Sequence, residues 1–535
     1  MSVLSRLQGV AISDPEGAAI VFPVRNGLAS MSRRELIEGV LRLRRELHER
    51  GFGRGDCAAV WLPNWPSALI WQLAVGSLGG HVIGINTRYN VHEVTHVLTL
   101  ARPRVVSIAH DFVGLDLLGR LREAASHARE SEGWQPPQVV PASAPGEDPP
   151  EDVAGYYIGG GSWVWGPASP LGLDELPEPD DELYVAFTTS GSTGLPKLAA
   201  HRQAGTLEQL LATGWAIGAG PSSRLLAALP FSGTFGFVAA FGMLLAGGSI
   251  VLQPSFKAQE AMRLVSEEGI THVAFGDDML GQVIELAQAQ NADMSALQWV
   301  GIADFQGGAR RLAEWLEEHA GTHVTGLYGS SETFALLTTS GHKVPAPDRW
   351  LPGGTLTPSG LEYRIADGER VITDGSEGEI QFRGPQAVDA YLGQPEKMAE
   401  NYTSDGWFRS GDLGRALDER SFRYVCRASE ALRLKGFLVE PDEIATHIAT
   451  HPAVEIAKVV GVRRDAGDEA VGFVTLRDGQ QVDGDALISY CADALAKYKV
   501  PTAVYVIDEM PVTAGTNGVK IRARVLQEWA ADRLG

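Results

Sequence analysis

Thr188-Thr189-Ser190-Gly191-Ser192-Thr193-Gly194-Leu195-Pro196-Lys197 follows the apolar, β-prone run Leu183 to Phe187, so the chain leaves a strand for a loop of hydroxyls and glycines closed by a lysine. That composition suits a polyphosphate. Glycines let backbone N–H groups approach phosphate oxygens, hydroxyls add hydrogen bonds, and a lysine supplies a point charge. Polar, glycine-rich turns also serve as plain connections between strands, and the composition alone leaves both readings open. A Walker loop is excluded, because no Gly-Lys-Ser/Thr follows the first glycine at the required spacing and no helical pattern opens after Lys197.

Outward from this loop the chain alternates strand and helix. The spacing predicts a helix over Met31–Glu49, a strand over Cys57–Leu62, a helix over Leu69–Leu78, a strand over His81–Ile85, a helix over Val91–Leu100 and a strand over Val105–Ile108. Beyond the loop come a helix Leu207–Ala216, strands at Arg224–Leu229, Gly248–Leu252, Thr271–Phe275, Leu297–Ile302 and His323–Leu327, and helices Ala258–Glu268 and Gly308–Ala320. The expected class is α/β, with mostly parallel sheets flanked by helices. Residues 130–181, rich in Pro, Gly and acids, predict a long surface excursion anchored by Tyr156-Tyr157 and Trp163-Val164-Trp165. Phe231-Ser232-Gly233-Thr234-Phe235-Gly236-Phe237 reads as an aromatic, glycine-rich turn, although aromatics at this density usually form core. From Pro441 onward a small α+β unit is expected.

With 535 residues the chain is too long for one core. Forty-five Lys and Arg against 66 Asp and Glu give a net charge of −21, which disfavours nucleic acid and anionic membranes as partners. An anionic substrate then needs a local cationic site. No apolar stretch reaches membrane-spanning length and the N-terminus has no signal pattern, so a cytoplasmic protein is expected. Cys57, Cys426 and Cys491 are far apart, form no C-x-x-C pair, and read as buried thiols rather than a zinc site or disulfide framework.

Three further dense stretches lie downstream: Tyr328-Gly329-Ser330-Ser331-Glu332-Thr333, Trp407-Phe408-Arg409-Ser410-Gly411-Asp412-Leu413-Gly414 and Pro511-Val512-Thr513-Ala514-Gly515-Thr516-Asn517-Gly518-Val519-Lys520-Ile521. The first follows a strand end directly, where open α/β sheets place ligand residues. In this order, and with Leu62-Pro63-Asn64-Trp65-Pro66 and Ile85-Asn86-Thr87-Arg88-Tyr89 before them, these stretches and the Thr188–Lys197 loop resemble the adenylate-forming superfamily, acyl-CoA synthetases in particular, from about Pro63 to Lys520.

The resemblance implies a large N-terminal domain, residues 1–427, that binds ATP and the acyl group, and a mobile C-terminal domain, residues 428–535. It implies ATP, Mg²⁺ and CoA as cofactors, Thr188, Glu332 and Lys520 as catalytic residues, and Glu332 as the Mg²⁺ ligand, since that hard cation takes one or two carboxylates plus phosphate oxygens. Thr189, Ser190, Gly191, Ser192, Thr193, Gly194, Lys197, Tyr328, Gly329, Ser330 and Ser331 fall to ATP or AMP. Asp412 falls to the ribose hydroxyls, both of which a carboxylate can accept from, with Arg427 beside it. Ser429 corresponds to the hinge, and Lys435, Gly436 and Phe437 to the CoA tunnel; Phe231, Phe235, Gly236 and Phe237 correspond to the acyl pocket. The chain departs from the family where Ala303-Asp304-Phe305-Gln306 replaces an adenine-contacting Ser-Gly-Gly-Ala-Pro turn, and at Cys426 and Ser429 around the hinge.

The implied reaction activates an aryl or medium-chain acid as its adenylate and passes it to CoA. Passage to a carrier-protein phosphopantetheine thiol is the alternative, and homodimer assembly stays open. An amino-acid-activating domain would carry an aspartate near the start of Phe231–Phe237, and a luciferase would carry a histidine before Thr234; neither is present. A catalytically dead scaffold could dispense with Glu332, Asp412 or Lys520, yet all three are present.

Overall fold

A computed structural model describes residues 1–535 except 190–195, 429–431, 435–436, 440, 465–466, 516–517 and 535. Two seven-stranded sheets carry most of the N-terminal part. One runs in the spatial order His323–Gly326, Trp299–Ala303, His272–Gly276, Arg224–Ala227, Ser249–Leu252, Ala18–Val24, Gly27–Ser32, parallel except for the final hairpin. The other runs Ala390–Tyr391, Leu198–Arg202, Leu183–Thr188, His81–Gly84, Cys57–Trp61, Val105–Ala109, Gln138–Ala142, and is parallel from Leu183–Thr188 onward. Their strands are near-continuous apolar runs, as strands covered on both faces require. The helix Pro66–Ser77 is buried along almost its whole length, and one large core spans both sheets.

The two sheets meet at a close backbone contact. A Cβ on Gly84, at the end of its strand, would lie 2.6 Å from Ser232 Cα, so only glycine fits there. Asn64 fastens the same corner. Its side chain donates to the carbonyls of Ala227 at 3.0 Å and Leu229 at 2.8 Å and accepts from the Phe231 N–H at 3.0 Å. The Pro63–Pro66 stretch thus acts as a bracket for the Phe231 turn.

A third seven-stranded sheet is antiparallel throughout, in the order Thr338–Thr339, Gly353–Leu356, Ser421–Arg427, Phe408–Ala416, Gly378–Arg383, Glu362–Asp367, Arg370–Val371. It has its own core around Phe382 and Phe422. The smaller C-terminal domain sandwiches the sheet Val454–Arg464, Gly467–Leu476, Ala503–Val506 between the helices Pro441–Ala449 and Gly484–Ala494 on one side and Ala523–Leu534 on the other, with a separate apolar cluster on each face.

Three expectations need correction. The stretch expected as an aromatic turn becomes helix at Thr234 and continues to Leu245. The excursion 130–181 contains the strand Gln138–Ala142, which pairs with Val105–Ala109 at the sheet edge. A helix Asp277–Gln290 lies between two strands where the sequence reading placed no element. Asp412 sits within the strand Phe408–Ala416, paired across to Arg427. Among the described residues no helix is long and apolar enough to cross a membrane.

Candidate active site

The strands flanking the hydroxyl-rich loop, Leu183–Thr188 and Leu198–Arg202, pair antiparallel with Thr188 opposite Leu198. The Thr189 N–H donates to the Lys197 carbonyl at 2.9 Å and closes the loop's base. Ser190, Gly191, Ser192, Thr193 and Gly194 lie outside the described residues, as do Ser429, Lys435 and Gly436; Phe437 begins a short strand. Tyr89, from the Ile85–Tyr89 stretch, shares a 2.7 Å hydrogen bond with the Thr188 hydroxyl, which orients that side chain at the loop entrance. Lys197 Nζ stands 4.8 Å from the centre of the Tyr391 ring and 3.4 Å from Asn401 Oδ1.

The strand His323–Gly326 delivers Tyr328, and Ser331–Thr333 then forms a single 3₁₀ turn carrying Glu332. Gly329 is required, because a Cβ there would come within 2.6 Å of Ala335 Cα. Phe334, Ala335 and Leu336 follow with φ of 67°, 46° and 37°, a left-handed run that side-chain-bearing residues adopt at a cost of roughly 1 kcal/mol or more each. Surrounding contacts hold it. Gln209 Nε2 donates to the carbonyls of Ala335 and Leu336 at 3.2 Å each, and Phe334 is wholly buried against Phe187 and Phe237. His201 Nε2 lies 2.8 Å from the Ser331 carbonyl, with its ring 4.2 Å from that of Phe334. Burial pushes the His201 imidazole down to about 4, so it is neutral and donates to that carbonyl.

Tyr328 and Asp412 meet here. The phenol donates to Asp412 Oδ2 at 2.7 Å, and Arg427 reaches Oδ1 at 3.1 Å while donating to the Ser410 carbonyl at 2.7 Å. Burial, and then the Asp412 charge, push the Tyr328 phenol well above its ordinary range, so it remains a donor. The Glu332 carboxylate is close enough to add to the upward pressure that burial exerts on the Tyr391 phenol. Among the described residues no cluster of three or more potential ligand side chains could hold a metal unaided. Glu332, whose charge reaches Tyr391 next to Lys197, is the type of ligand that suits a cation taking its remaining oxygens from phosphates.

Lys520 comes from the far end of the chain. It lies on the second strand of a hairpin, Val512–Gly515 with Gly518–Ile521, opposite Thr513. Its ammonium stands 4.6 Å over the Phe305 ring, and burial and then the Arg427 charge lower its pKa. Lys520 is thus near both the Asp412–Arg427 pair and the turn that replaces the family's glycine-rich one. Of the acyl-pocket candidates, Phe237 is 1% exposed and stacks on Phe241 at 4.4 Å, Phe235 is buried, and Gly236 is forced by the carbonyls of Pro230 and Leu229 within 2.6 Å of any Cβ; Phe231 is half-buried. Asn64, Tyr89, His201 and Gln209 are positioning residues that the sequence reading did not single out. The signal for the first two was their place within quoted motif stretches.

Residues 9–392 match the family described as AMP-binding enzyme, and residues 443–516 match the AMP-binding enzyme C-terminal domain. The chain belongs to this family and is of its adenylate-forming, acyl-CoA synthetase type. It is 27% identical over 518 residues to the feruloyl-CoA synthase of Amycolatopsis sp., covering 94% of this chain and 95% of that one. It is 26% identical over 518 residues to the 2-succinylbenzoate–CoA ligase of Geobacillus sp. strain WCH70, covering 96% and 95%. Its fold matches ATP-bound MatB from Rhodopseudomonas palustris with a TM-score of 0.81 at 23% identity, over 100% of both chains.

Proposed function

We propose that the protein is an ATP-dependent carboxylic acid–CoA ligase acting on an aryl or medium-chain acid with an apolar body. The observation that carries this is the convergence of Lys520, from the last hairpin, with the Tyr328–Asp412–Arg427 group of the antiparallel sheet. In the first half-reaction the acid's carboxylate oxygen attacks the α-phosphorus, the bond to the β-phosphate bridge breaks, and pyrophosphate leaves. In the second, the sulfur of CoA, as the thiolate after loss of its proton to solvent, attacks the acyl carbon and AMP leaves with the electron pair of the broken C–O bond.

Two anions must meet in the first step. In this reading Lys520 neutralises charge developing on the α-phosphate, and Lys197 and the hydroxyl loop serve the outer phosphates. Asp412 accepts from the ribose hydroxyls, with Tyr328 and Arg427 fixing its two oxygens. Glu332 would hold Mg²⁺, which when bound offsets the charge of the phosphates. The domain division falls at 427/428, with Ser429 as the pivot and Lys435 to Phe437 facing the CoA arm. The two CoA-ligase relatives support CoA as the acceptor.

The test is pyrophosphate release from ATP across a panel of carboxylic acids, with and without CoA, followed by mass detection of acyl-AMP and acyl-CoA. Acid-dependent pyrophosphate and acyl-AMP without CoA, turning to acyl-CoA and AMP with it, is the expected result. Formation of ADP and phosphate would overturn the reading, and acyl transfer to a carrier-protein thiol alone would replace CoA as acceptor.

A further inference from the structure

The hairpin that bears Lys520 is gripped at one residue, Val519, by residues the chemistry itself does not call for. Asp278 Oδ2 accepts the Val519 N–H at 2.9 Å, and Gln306 Nε2 donates to the Val519 carbonyl at 3.3 Å. Both polar groups of the residue next to Lys520 are therefore taken by the N-terminal domain. Phe305, adjacent to Gln306, lies beneath the Lys520 ammonium. The receiving surface is built for this. Asp277 accepts the N–H groups of Phe305, Gln306 and Gly308, each at 3.0 Å, and so fixes the turn that presents Phe305 and Gln306. Asp278 is held in the first turn of the same helix, Asp277–Gln290. Its other oxygen, Oδ1, is buried without a hydrogen-bond partner that meets standard geometry among the described residues, and the Val519 N–H is the contact that this carboxylate makes across to the hairpin.

We propose that Asp278, Gln306 and Phe305 are positioning residues that latch the Lys520 hairpin over the nucleotide site for adenylation, and that release of this latch frees the C-terminal domain for thioester formation. The proposal rests on the two-step reading above. It also accounts for the departure at Ala303–Gln306. Glycine and alanine could offer neither a ring for the ammonium nor an amide for the Val519 carbonyl, so the replaced turn serves the hairpin.

The test uses the full-length enzyme with Asp278→Ala, Asp278→Asn and Gln306→Leu, measuring each half-reaction and hydrogen exchange at Val519. Asp278→Ala removes the acceptor, so adenylation should slow by about tenfold or more, the scale of one lost hydrogen bond to a charged group. Thioester formation from supplied acyl-adenylate and CoA should continue at the wild-type rate, and the Val519 amide should exchange faster. Asp278→Asn keeps an acceptor oxygen and should restore adenylation and protection. Gln306→Leu leaves Asp278 and its helix intact and should slow adenylation in the same sense. Equal loss of both half-reactions in variants of unchanged thermal stability would overturn the latch, as would faster Val519 exchange with adenylation untouched. A Lys520→Ala enzyme that adenylates normally would instead remove the underlying reading, which separates the two failures.

Discussion

Tyr328 and Asp412, 84 positions apart, are joined by a 2.7 Å hydrogen bond from the phenol to Oδ2, buried between the third sheet and the strand end that carries the Tyr328–Thr333 motif. This bond ties two motifs into one site. Arg427 holds the other carboxylate oxygen, so Asp412 is oriented through both oxygens and is only 5% exposed.

Asp412→Asn keeps the shape but removes the charge and turns one acceptor into a donor. ATP KM should rise and adenylation should slow, with the acid's KM little changed. Tyr328→Phe leaves the carboxylate charge but deprives it of a buried donor, so unfolding free energy should fall by about 1–3 kcal/mol. Steady-state kinetics and denaturant titration check the pair. An unchanged ATP KM in a folded Asp412→Asn enzyme would contradict the ribose role.

Phe237 and Phe231 should separate packing from recognition. Phe237 lies inside the aromatic cluster of Phe187, Phe241 and Phe334, so Phe237→Ala should cost about 3–5 kcal/mol of stability. Phe231 is half-buried at the corner bracketed by Asn64, so Phe231→Ala should raise the acid's KM with little change in melting temperature. Thermal melts and KM for acid against ATP distinguish them.

His201 makes stability depend on pH. Its folded pKa of about 4 lies below the ordinary 6.5, so between these values the unfolded chain binds a proton that the folded chain does not. The stabilisation is fully present above pH 6.5 and is lost as pH falls towards 4, amounting to about 3 kcal/mol at the lower end. His201→Gln should flatten this part of the stability–pH curve, measured by urea titration between pH 7 and pH 4. An identical slope in wild type and variant would contradict the assignment.

Much of the parallel architecture is legible because its strands are uninterrupted apolar runs punctuated by glycine, as at His81–Gly84, while helices such as Arg33–Glu49 announce themselves by a capping box at Ser32 and Glu35. The strand Gln138–Ala142 is masked by Pro141 and its proline-rich flanks, which an edge strand tolerates. Gly411 and Gly414 make the Asp412 stretch look like a turn, although the strand passes through both with a register shift at Leu413/Gly414. The helix Asp277–Gln290 does carry a helical apolar pattern in Met279, Leu280, Val283, Ile284 and Ala287. Its functional content is not local, however, since Asp278 meets Val519 across 241 positions and no sequence period encodes that contact.

On the proposed function, Lys520 serves the first half-reaction alone. The most direct test follows both half-reactions of Lys520→Ala before the steady state. Acyl-adenylate formation should fall by about 10²–10³-fold, the scale of removing a transition-state hydrogen-bond donor, while thioester formation from supplied acyl-adenylate and CoA proceeds near the wild-type rate. Equal loss of both half-reactions in a protein of normal stability would contradict the account.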